Sequence, residues 1–224
     1  AARRNREVAA AAFEASDRTG IRVDFVSRSD STLRGHFPLE PRVLAECIAE
    51  HENRRVDGIV IVPAFGDAGR ITVGGVHYAG SVADGFTPVG ESEFAGDATF
   101  GYRSSRLAEW VEEKSGGELP ASSVIEISLA ELRTDLGAVA ARLRSAGSEQ
   151  PIVSDIVDEN DLRRLSLAVQ QAEDAGSRFI YRVGPPFVRA RIGQEVHLPL
   201  DHDDLVAIRQ GGLAENSVGG LVVV

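Results

Sequence analysis

The sequence predicts an α/β fold: a doubly wound, mostly parallel β-sheet flanked by helices on both faces, with a long Gly-rich loop region. Short apolar segments alternate with longer segments whose apolar residues recur at helical spacing, which is typical of βαβ units. One apolar segment, residues 58–63, is unbroken, as in a strand buried on both faces. The composition, 43% hydrophobic and 26% charged, is that of a globular protein, and right-handed crossovers place helices on both sides of such a sheet.

In the first half of the chain, each predicted element has its own local evidence. Residues 3–18 form a helix that ends at Gly20, because Gly favours the position just after a helix. Residues 21–26 form a short strand, and an irregular polar stretch follows it. Pro38 suits the first turn of the next helix, whose apolar face consists of Val43, Leu44, Cys47 and Ile48. Over residues 64–100 Gly is frequent and regular structure mostly disappears, and loops of that length tend to be functional.

The second half of the chain has a more regular pattern. A helix begins near Arg103 and ends at Gly116. Ser128 and Glu131 have the spacing of a capping box, which starts a helix over residues 129–145. Beyond these, the pattern predicts a helix over 159–175 and strands over 124–127, 152–154 and 179–183.

Charge and composition exclude several classes of protein. With 34 acidic and 24 basic side chains the net charge is −10, which argues against nucleic acid and anionic membranes as partners. No apolar run approaches the ~20 residues of a membrane span. The single cysteine, Cys47, forbids an internal disulfide and fits a reducing cytoplasm, which is the predicted location. Because Met is missing even at position 1, and the chain stops in an apolar run at 221–224, we expect a fragment truncated at both ends.

Polar residues follow the first predicted strand, at the edge where open α/β sheets bind their ligands. The segment 27–36, SRSDSTLRGH, combines hydroxyls, a carboxylate, two guanidiniums and an imidazole. Arg28 and Arg34 are suited to clamp a carboxylate or phosphate, and Asp30 to accept a hydroxyl proton. Gly35 allows close approach of the backbone, and the N-terminus of the following helix favours anions. The alternative is a simple turn whose arginines are solvated.

A second polar segment, residues 63–77, follows the most apolar strand. Its glycines, together with Arg70, Thr72 and His77, indicate an anion or polyol site. An equally good interpretation is that the segment is a Gly-rich crossover that needs positive φ angles, and that His77 is a structural histidine. Five scattered His and one Cys lack the spacing of metal ligands, so no metal site is predicted. The GxxxxGK[ST], GxGxxG and GxSxG motifs are also missing.

Two weaker candidates remain further along the chain. The segment 94–105 precedes a helix, and it either closes over a site or packs through its aromatic side chains. The segment 182–191 has Pro at a helical start, and it is either an anion-binding turn or a place where Arg189 and Arg191 face solvent.

Taken together, these segments resemble the four-carbon acid sugar kinase family, once catalogued as a domain of unknown function. Residues 27–36 are similar to the family's DSTLRG loop, with His36 where Asn is commoner. Further segments of the family have counterparts in the expected order, at residues 63–78, 94–114 and 151–162. The sequence VGPPFVRAR at 183–191 differs from the Gly-Ser-Ala-Gly turn commoner in the family, and the family's opening strand with paired aspartates is not in this sequence.

The resemblance implies a sugar-acid-binding domain over residues 1–199, then a linker and the first strand of a C-terminal nucleotide-binding domain over 200–224. It implies ATP-dependent phosphorylation, with Mg²⁺, of a hydroxyl of threonate, erythronate or 3-oxo-tetronate. ATP is expected to bind outside this segment, so the segment alone is predicted to be inactive. Asp30 is the catalytic candidate, and the residues predicted to bind the acid are Arg28, Ser29, Asp30, Ser31, Thr32, Arg34, Gly35, Arg70 and Thr72.

Two other functions fit the same residues. A non-catalytic sensor domain would bind a small anion and regulate a partner, and it would lack a phosphate-binding loop downstream of residue 224. A lyase or isomerase acting on a small acid would turn over without ATP. The stereoisomer used, the hydroxyl attacked and the number of subunits stay open at this point.

Overall fold

The computed structural model describes residues 1–196 and 200–212, so the predicted strand at 221–224 lies outside the described residues. The chain divides into two compact units, Ala1–Gln194 and Glu195–Val224. The domain boundary predicted at residue 199 stays a prediction. In chain order the helices and strands are α1 (Ala2–Thr19), β1 (Val26–Arg28), α2 (Leu39–Glu52), β2 (Gly58–Val62), β3 (Arg70–Val73), β4 (Val76–Ser81), β5 (Gly85–Pro88), α3 (Leu107–Lys114), β6 (Ile125–Ile127), α4 (Leu129–Thr134), α5 (Leu136–Arg144), β7 (Gln150–Ser154), α6 (Glu159–Asp174), β8 (Phe179–Val183), α7 (Pro185–Arg191) and, in the second unit, α8 (His202–Gly212).

The main sheet has five strands in the order β1-β8-β2-β7-β6. Every neighbouring pair in it is parallel. The sequence of β2 explains its central place: all five of its residues are buried, as a strand covered on both faces requires. The predicted α/β fold with a mostly parallel sheet is confirmed.

Helices cover both faces of this sheet, as predicted. On one face, β2 residues Val60 and Val62 pack in a buried cluster with α4, α5, α6 and α7. On the other face, Ile59 and Ile61 pack against α3 and the 27–36 loop. Helices α1 and α2 cover that same face at its β8 side, where they bury Ile180. Alternate residues of one strand therefore serve two separate cores.

The first strand is shorter and later than predicted. The sequence analysis places it at 21–26, whereas β1 comprises Val26–Arg28. The reason is Arg178, whose fully buried guanidinium bonds the Val23 carbonyl, at 3.1 Å, and the Asp24 carboxylate. Side-chain hydrogen bonds thus replace the ladder that a strand would form there.

The Gly-rich region contains a second sheet that the sequence analysis did not predict. Strands β3, β4 and β5 form a three-stranded antiparallel sheet between short 3₁₀ turns. Gly74 and Gly75, both with positive φ, make the two-residue turn between β3 and β4. A two-residue Gly-Gly turn between valines is a hairpin signal, and the many surrounding glycines concealed it.

The helix predicted over 129–145 is two helices. Ser128 and Glu131 form the predicted capping box at the start of α4. Asp135 then leaves the helical conformation, and its side chain caps α5 by accepting a hydrogen bond from the Ala138 N–H. An aspartate competes with the helix backbone in this way more readily than most residues.

Candidate functional site

Because all five strands of the main sheet are parallel, their carboxyl ends lie along one edge of it. The 27–36 loop follows β1 at this edge. The β3–β4 hairpin begins eight residues beyond the end of β2, with Arg70 as its first residue, and Asp155 follows β7. The segments that carry the predicted site residues therefore start from the same side of the sheet.

The structure joins the two predicted segments directly through His77. Its Nε2 lies 2.9 Å from the Ser31 carbonyl oxygen, and its Nδ1 lies 2.9 Å from the Thr72 hydroxyl. A carbonyl only accepts, so Nε2 carries the proton and Nδ1 accepts from Thr72. Burial lowers the pKa of this completely buried imidazole to about 4, and the nearby Arg70 guanidinium acts in the same direction, against the hydrogen bond to Ser31. His77 is thus a neutral structural residue that ties the hairpin to the loop.

A buried carboxylate anchors the other side of the hairpin. The Gly75 N–H donates to Asp155 Oδ1 at 2.8 Å, and the Gly74 N–H donates to Oδ2 at 3.0 Å. Next to it, Thr72 and Ile156 exchange two backbone hydrogen bonds of 2.8 and 2.9 Å. The hairpin is consequently held on one side by the residues that follow β7 and on the other side, through His77, by the loop that follows β1.

Three side chains, distant in sequence, hold the carbonyls of the 27–36 loop. Besides His77 on Ser31, the Tyr102 hydroxyl donates to the Thr32 carbonyl at 2.6 Å. The Arg182 guanidinium donates to the Arg34 carbonyl at 3.4 Å. The loop conformation therefore depends on partners from β4, from the segment 94–105 and from β8.

Arg182, the first residue of the weaker candidate segment 182–191, lies at this site, although it was not among the residues predicted to bind the acid. It is 3% exposed, donates to Glu40 at 2.7 Å and to the Ser27 hydroxyl at 2.9 Å, and lies under the loop. Burial lowers the pKa of its guanidinium, while Glu40 opposes that change. A charged residue inside the apolar stretch of β8 was the available signal, because a buried charge requires a partner.

Asp30, Thr32 and Arg34 form one hydrogen-bonded group within the loop. Asp30 Oδ2 accepts from the Thr32 hydroxyl and, at 2.7 Å, from Arg34 Nε. Burial acts to raise the pKa of the Asp30 carboxyl, but these hydrogen bonds outweigh it and hold the pKa below its usual range. Asp30 is therefore ionised at neutral pH and is an acceptor for hydroxyl groups.

Arg34 and Arg70, from the two predicted segments, converge on the ring of Phe94. Their guanidinium carbons lie 5.4 and 5.5 Å from the ring centroid, within the range of cation–π contacts. Arg34 is also balanced by Asp30 and by Asp97, whose Oδ2 lies 3.7 Å from its Nη1. Thus the predicted pair of Arg28 and Arg34 is not the pair that meets here, because Arg28 ends β1 on the exposed side of an edge strand.

Two polar groups of the predicted site lack partners inside the described part of the chain. Arg70 is half-buried, bonds only the Ala68 carbonyl through Nη1, forms no ion pair, and leaves its buried Nε without a hydrogen bond. The hydroxyl of Ser29, a residue 5% exposed, is also unpartnered. By contrast, the Thr72 hydroxyl is taken by His77, and Ser31 contributes its carbonyl to the same imidazole.

The weaker candidates have different outcomes. Phe94, Asp97 and Tyr102 of segment 94–105 all contact the 27–36 loop. Arg189 pairs with Asp67 and Glu159. Arg191 pairs with Glu173. The two arginines that follow Pro185 therefore bind α6 or its neighbours rather than facing solvent unpaired.

Gly35 is the one glycine in the sequence of the 27–36 loop, and its surroundings leave little room for a side chain. Its φ is +121°, and a Cβ there would lie 2.7 Å from Arg182 Nη2. We expect Gly35→Ala to lower the free energy of unfolding by about 1–3 kcal/mol, because the φ is strained and Arg182 is displaced. Urea denaturation measures this, with Gly147→Ala as the control because a Cβ at Gly147 meets open space. Equal stability of the two variants would contradict the close approach.

The described residues contain no cluster of three His, Cys, Asp or Glu that could hold a metal ion. Over the same residues, no helix is both long and apolar enough to span a bilayer.

A model of the "sugar-binding N-terminal domain" family matches residues 1–191 of the chain. The chain belongs to that family. The resemblance to the N-terminal domain of the four-carbon acid sugar kinases is thereby confirmed at the level of the family. No curated protein matches the sequence of this sugar-binding domain.

Solved structures share the fold of this sugar-binding domain. Haemophilus influenzae protein HI1011, of the DUF1537 family, is 18% identical with a TM-score of 0.62, over 86% of this chain and 42% of that one. A DUF1537 protein from Bordetella bronchiseptica, a domain-swapped dimer with bound citrate, is 22% identical with a TM-score of 0.58, over 85% of this chain and 40% of that one. The sugar-binding domain thus spans about two fifths of these relatives.

Proposed function

We propose that this sugar-binding domain holds a four-carbon sugar acid of the threonate, erythronate or 3-oxo-tetronate type for ATP-dependent phosphorylation of one of its hydroxyls. The acid's carboxylate binds Arg70 beside Arg34, and its hydroxyls bind Asp30, Thr32 and Ser29. The family match supports the sugar, and the loop chemistry supports the acid.

The observation that carries this proposal is the uncompensated charge of Arg70. A half-buried cation without a carboxylate is costly unless a ligand supplies the anion. The planar guanidinium offers two parallel N–H donors, the geometry that a carboxylate accepts. The Bordetella relative was solved with bound citrate, a small hydroxy acid, which supports a ligand of this class.

The hydroxyls of the substrate need acceptors and donors of the kind that the loop displays. Asp30 is ionised and accepts, and the unpartnered Ser29 hydroxyl both donates and accepts. Phosphoryl transfer needs little from the protein beyond positioning and charge neutralisation, so a rigid loop with these groups is suited to orienting a sugar acid.

ATP and Mg²⁺ belong to a different part of the proposed enzyme. The sequence has no GxxxxGK[ST] loop, and the described residues have no group of three His, Cys, Asp or Glu that could hold a metal ion. These residues do not fit an ATP–Mg²⁺ site, and we route no chemical step through one. The nucleotide site is proposed to lie in the part of the longer relatives that this chain does not span.

Two measurements test the proposed function. Calorimetric titration of this chain with threonate, erythronate and 3-oxo-tetronate is expected to show binding that the neutral polyol threitol does not show. ADP release from ATP and Mg²⁺ by the full-length protein is expected with at least one of those acids. Binding without turnover would favour the anion sensor, turnover without ATP would favour a lyase or isomerase, and neither binding nor turnover would refute the sugar-acid assignment.

Asp30→Asn tests the catalytic candidate. If Asp30 takes the hydroxyl proton, turnover by the full-length protein should fall by about 10²–10⁴-fold while the affinity for the acid changes far less. The matched control is Asp84→Asn, at an exposed carboxylate in the β4–β5 turn. Unchanged turnover in both variants would make Asp30 a turn residue.

A further inference from the structure

The segment 94–102 contacts the 27–36 loop along its length. Phe94 meets Arg34, Asp97 pairs with Arg34, the Tyr102 hydroxyl bonds the Thr32 carbonyl, and the Phe100 ring lies 4.9 Å from the His36 ring, edge to face. Lys114 holds this segment in place from α3 by donating to the Gly101 carbonyl at 3.1 Å. The segment therefore forms a wall of the candidate site.

Within this wall, Phe94 has a contact that ordinary packing does not require. The guanidinium carbons of Arg34 and Arg70 lie 5.4 and 5.5 Å from its ring centroid, and Arg70 has no carboxylate beside it in the described residues. The face of an aromatic ring carries negative partial charge and attracts a cation without neutralising it. The ring thus holds both guanidiniums at one side chain and leaves the charge of Arg70 available to an anion.

We propose that Phe94 is a positioning residue that aims Arg34 and Arg70 at a single carboxylate of the ligand. This inference rests on the proposed function, because it takes the ligand to be an acid. It assigns the carboxylate end of the sugar acid to the Phe94 side of the site and the hydroxyl end to Asp30. A long arginine side chain loses rotamer freedom when it binds, and stacking on Phe94 removes much of that freedom beforehand.

The test separates the charge of the ring face from its bulk. Phe94→Leu keeps an apolar side chain and removes the ring, whereas Phe94→Tyr keeps the ring. Calorimetric titration with erythronate or threonate is expected to show roughly five- to thirtyfold weaker binding for Phe94→Leu, because two arginine side chains must then be ordered on binding, and near-original binding for Phe94→Tyr. Phe86→Leu on β5 is the control, because Phe86 is a partly exposed phenylalanine on which no arginine stacks in the described part of the chain.

A double-mutant cycle shows whether the two arginines share one carboxylate. In the original background, the effects of Arg34→Gln and Arg70→Gln on affinity are expected to be strongly non-additive; in the Phe94→Leu background, they are expected to become nearly additive. Equal affinity of Phe94→Leu and the original chain, or equal losses in Phe94→Leu and Phe94→Tyr, would overturn the positioning role. If the original chain binds none of the acids, the proposed function is refuted. Binding by the original chain with equal affinity in Phe94→Leu refutes the positioning role alone.

Discussion

Arg70→Gln is expected to weaken binding of the sugar acid by about tenfold to more than a hundredfold, the largest effect on affinity of any single substitution in the site. A hydrogen bond to a charged group contributes roughly 1.5–3 kcal/mol, and Gln removes both the charge and the planar fork. Arg34 alone does not replace Arg70, because Asp30 and Asp97 compete with the ligand for its guanidinium. Calorimetric titration with the acid that binds best measures the loss.

The stability of the same variant distinguishes a binding residue from a structural one. An uncompensated, half-buried cation costs free energy in the folded protein, so Arg70→Gln is expected to leave the free energy of unfolding unchanged or slightly higher. Arg4→Gln on α1 is the matched control, since Arg4 is an exposed arginine paired only with Glu7. A variant with lost stability and original affinity would mean that Arg70 supports the fold instead of the ligand.

His77→Gln is expected to change how stability depends on pH. In the folded chain, burial lowers the pKa of His77 to about 4, whereas an unfolded histidine has its ordinary value of 6.5. Between those values only the unfolded state takes up the proton, so acidification favours unfolding. Stability due to this group is therefore fully present above about pH 6.5 and is lost progressively as the pH falls toward 4. The difference amounts to about 3 kcal/mol.

Urea denaturation at several pH values between 4 and 7 measures this dependence. His77→Gln should lower the stability at pH 7, where it disrupts the bonds to Ser31 and Thr72, and should flatten the slope. Asp30 and the other carboxylates titrate in both proteins, so the difference in slope isolates the imidazole. His202→Gln is the control, because it removes an exposed histidine and should keep the slope. An unchanged slope in His77→Gln would contradict the burial of a neutral His77.

Much of the fold follows from local chemistry and was predicted for that reason. The unbroken apolar run of β2, the capping box at Ser128 and Gly20 at the end of α1 each act within a few residues. One error arose where a distant group intervened. The strand expected at 21–26 was displaced because Arg178, far along the chain, takes the polar groups of residues 23 and 24.

At the candidate site, residue types and their order along the chain indicate which chemical groups are available, and only contacts between distant segments establish which of these groups meet. Arg34, Asp30 and Arg70 were recognised from residue type and position after strands, because the carboxyl ends of parallel strands lie together. Their pairing was not, since the contacts to Phe94 and Arg182 join segments separated by tens of residues or more. Residue type sets the charge and hydrogen-bonding capacity of a side chain. Its free partners, its burial and hence its capacity to bind a ligand depend on neighbours that only the folded chain brings within a few ångströms.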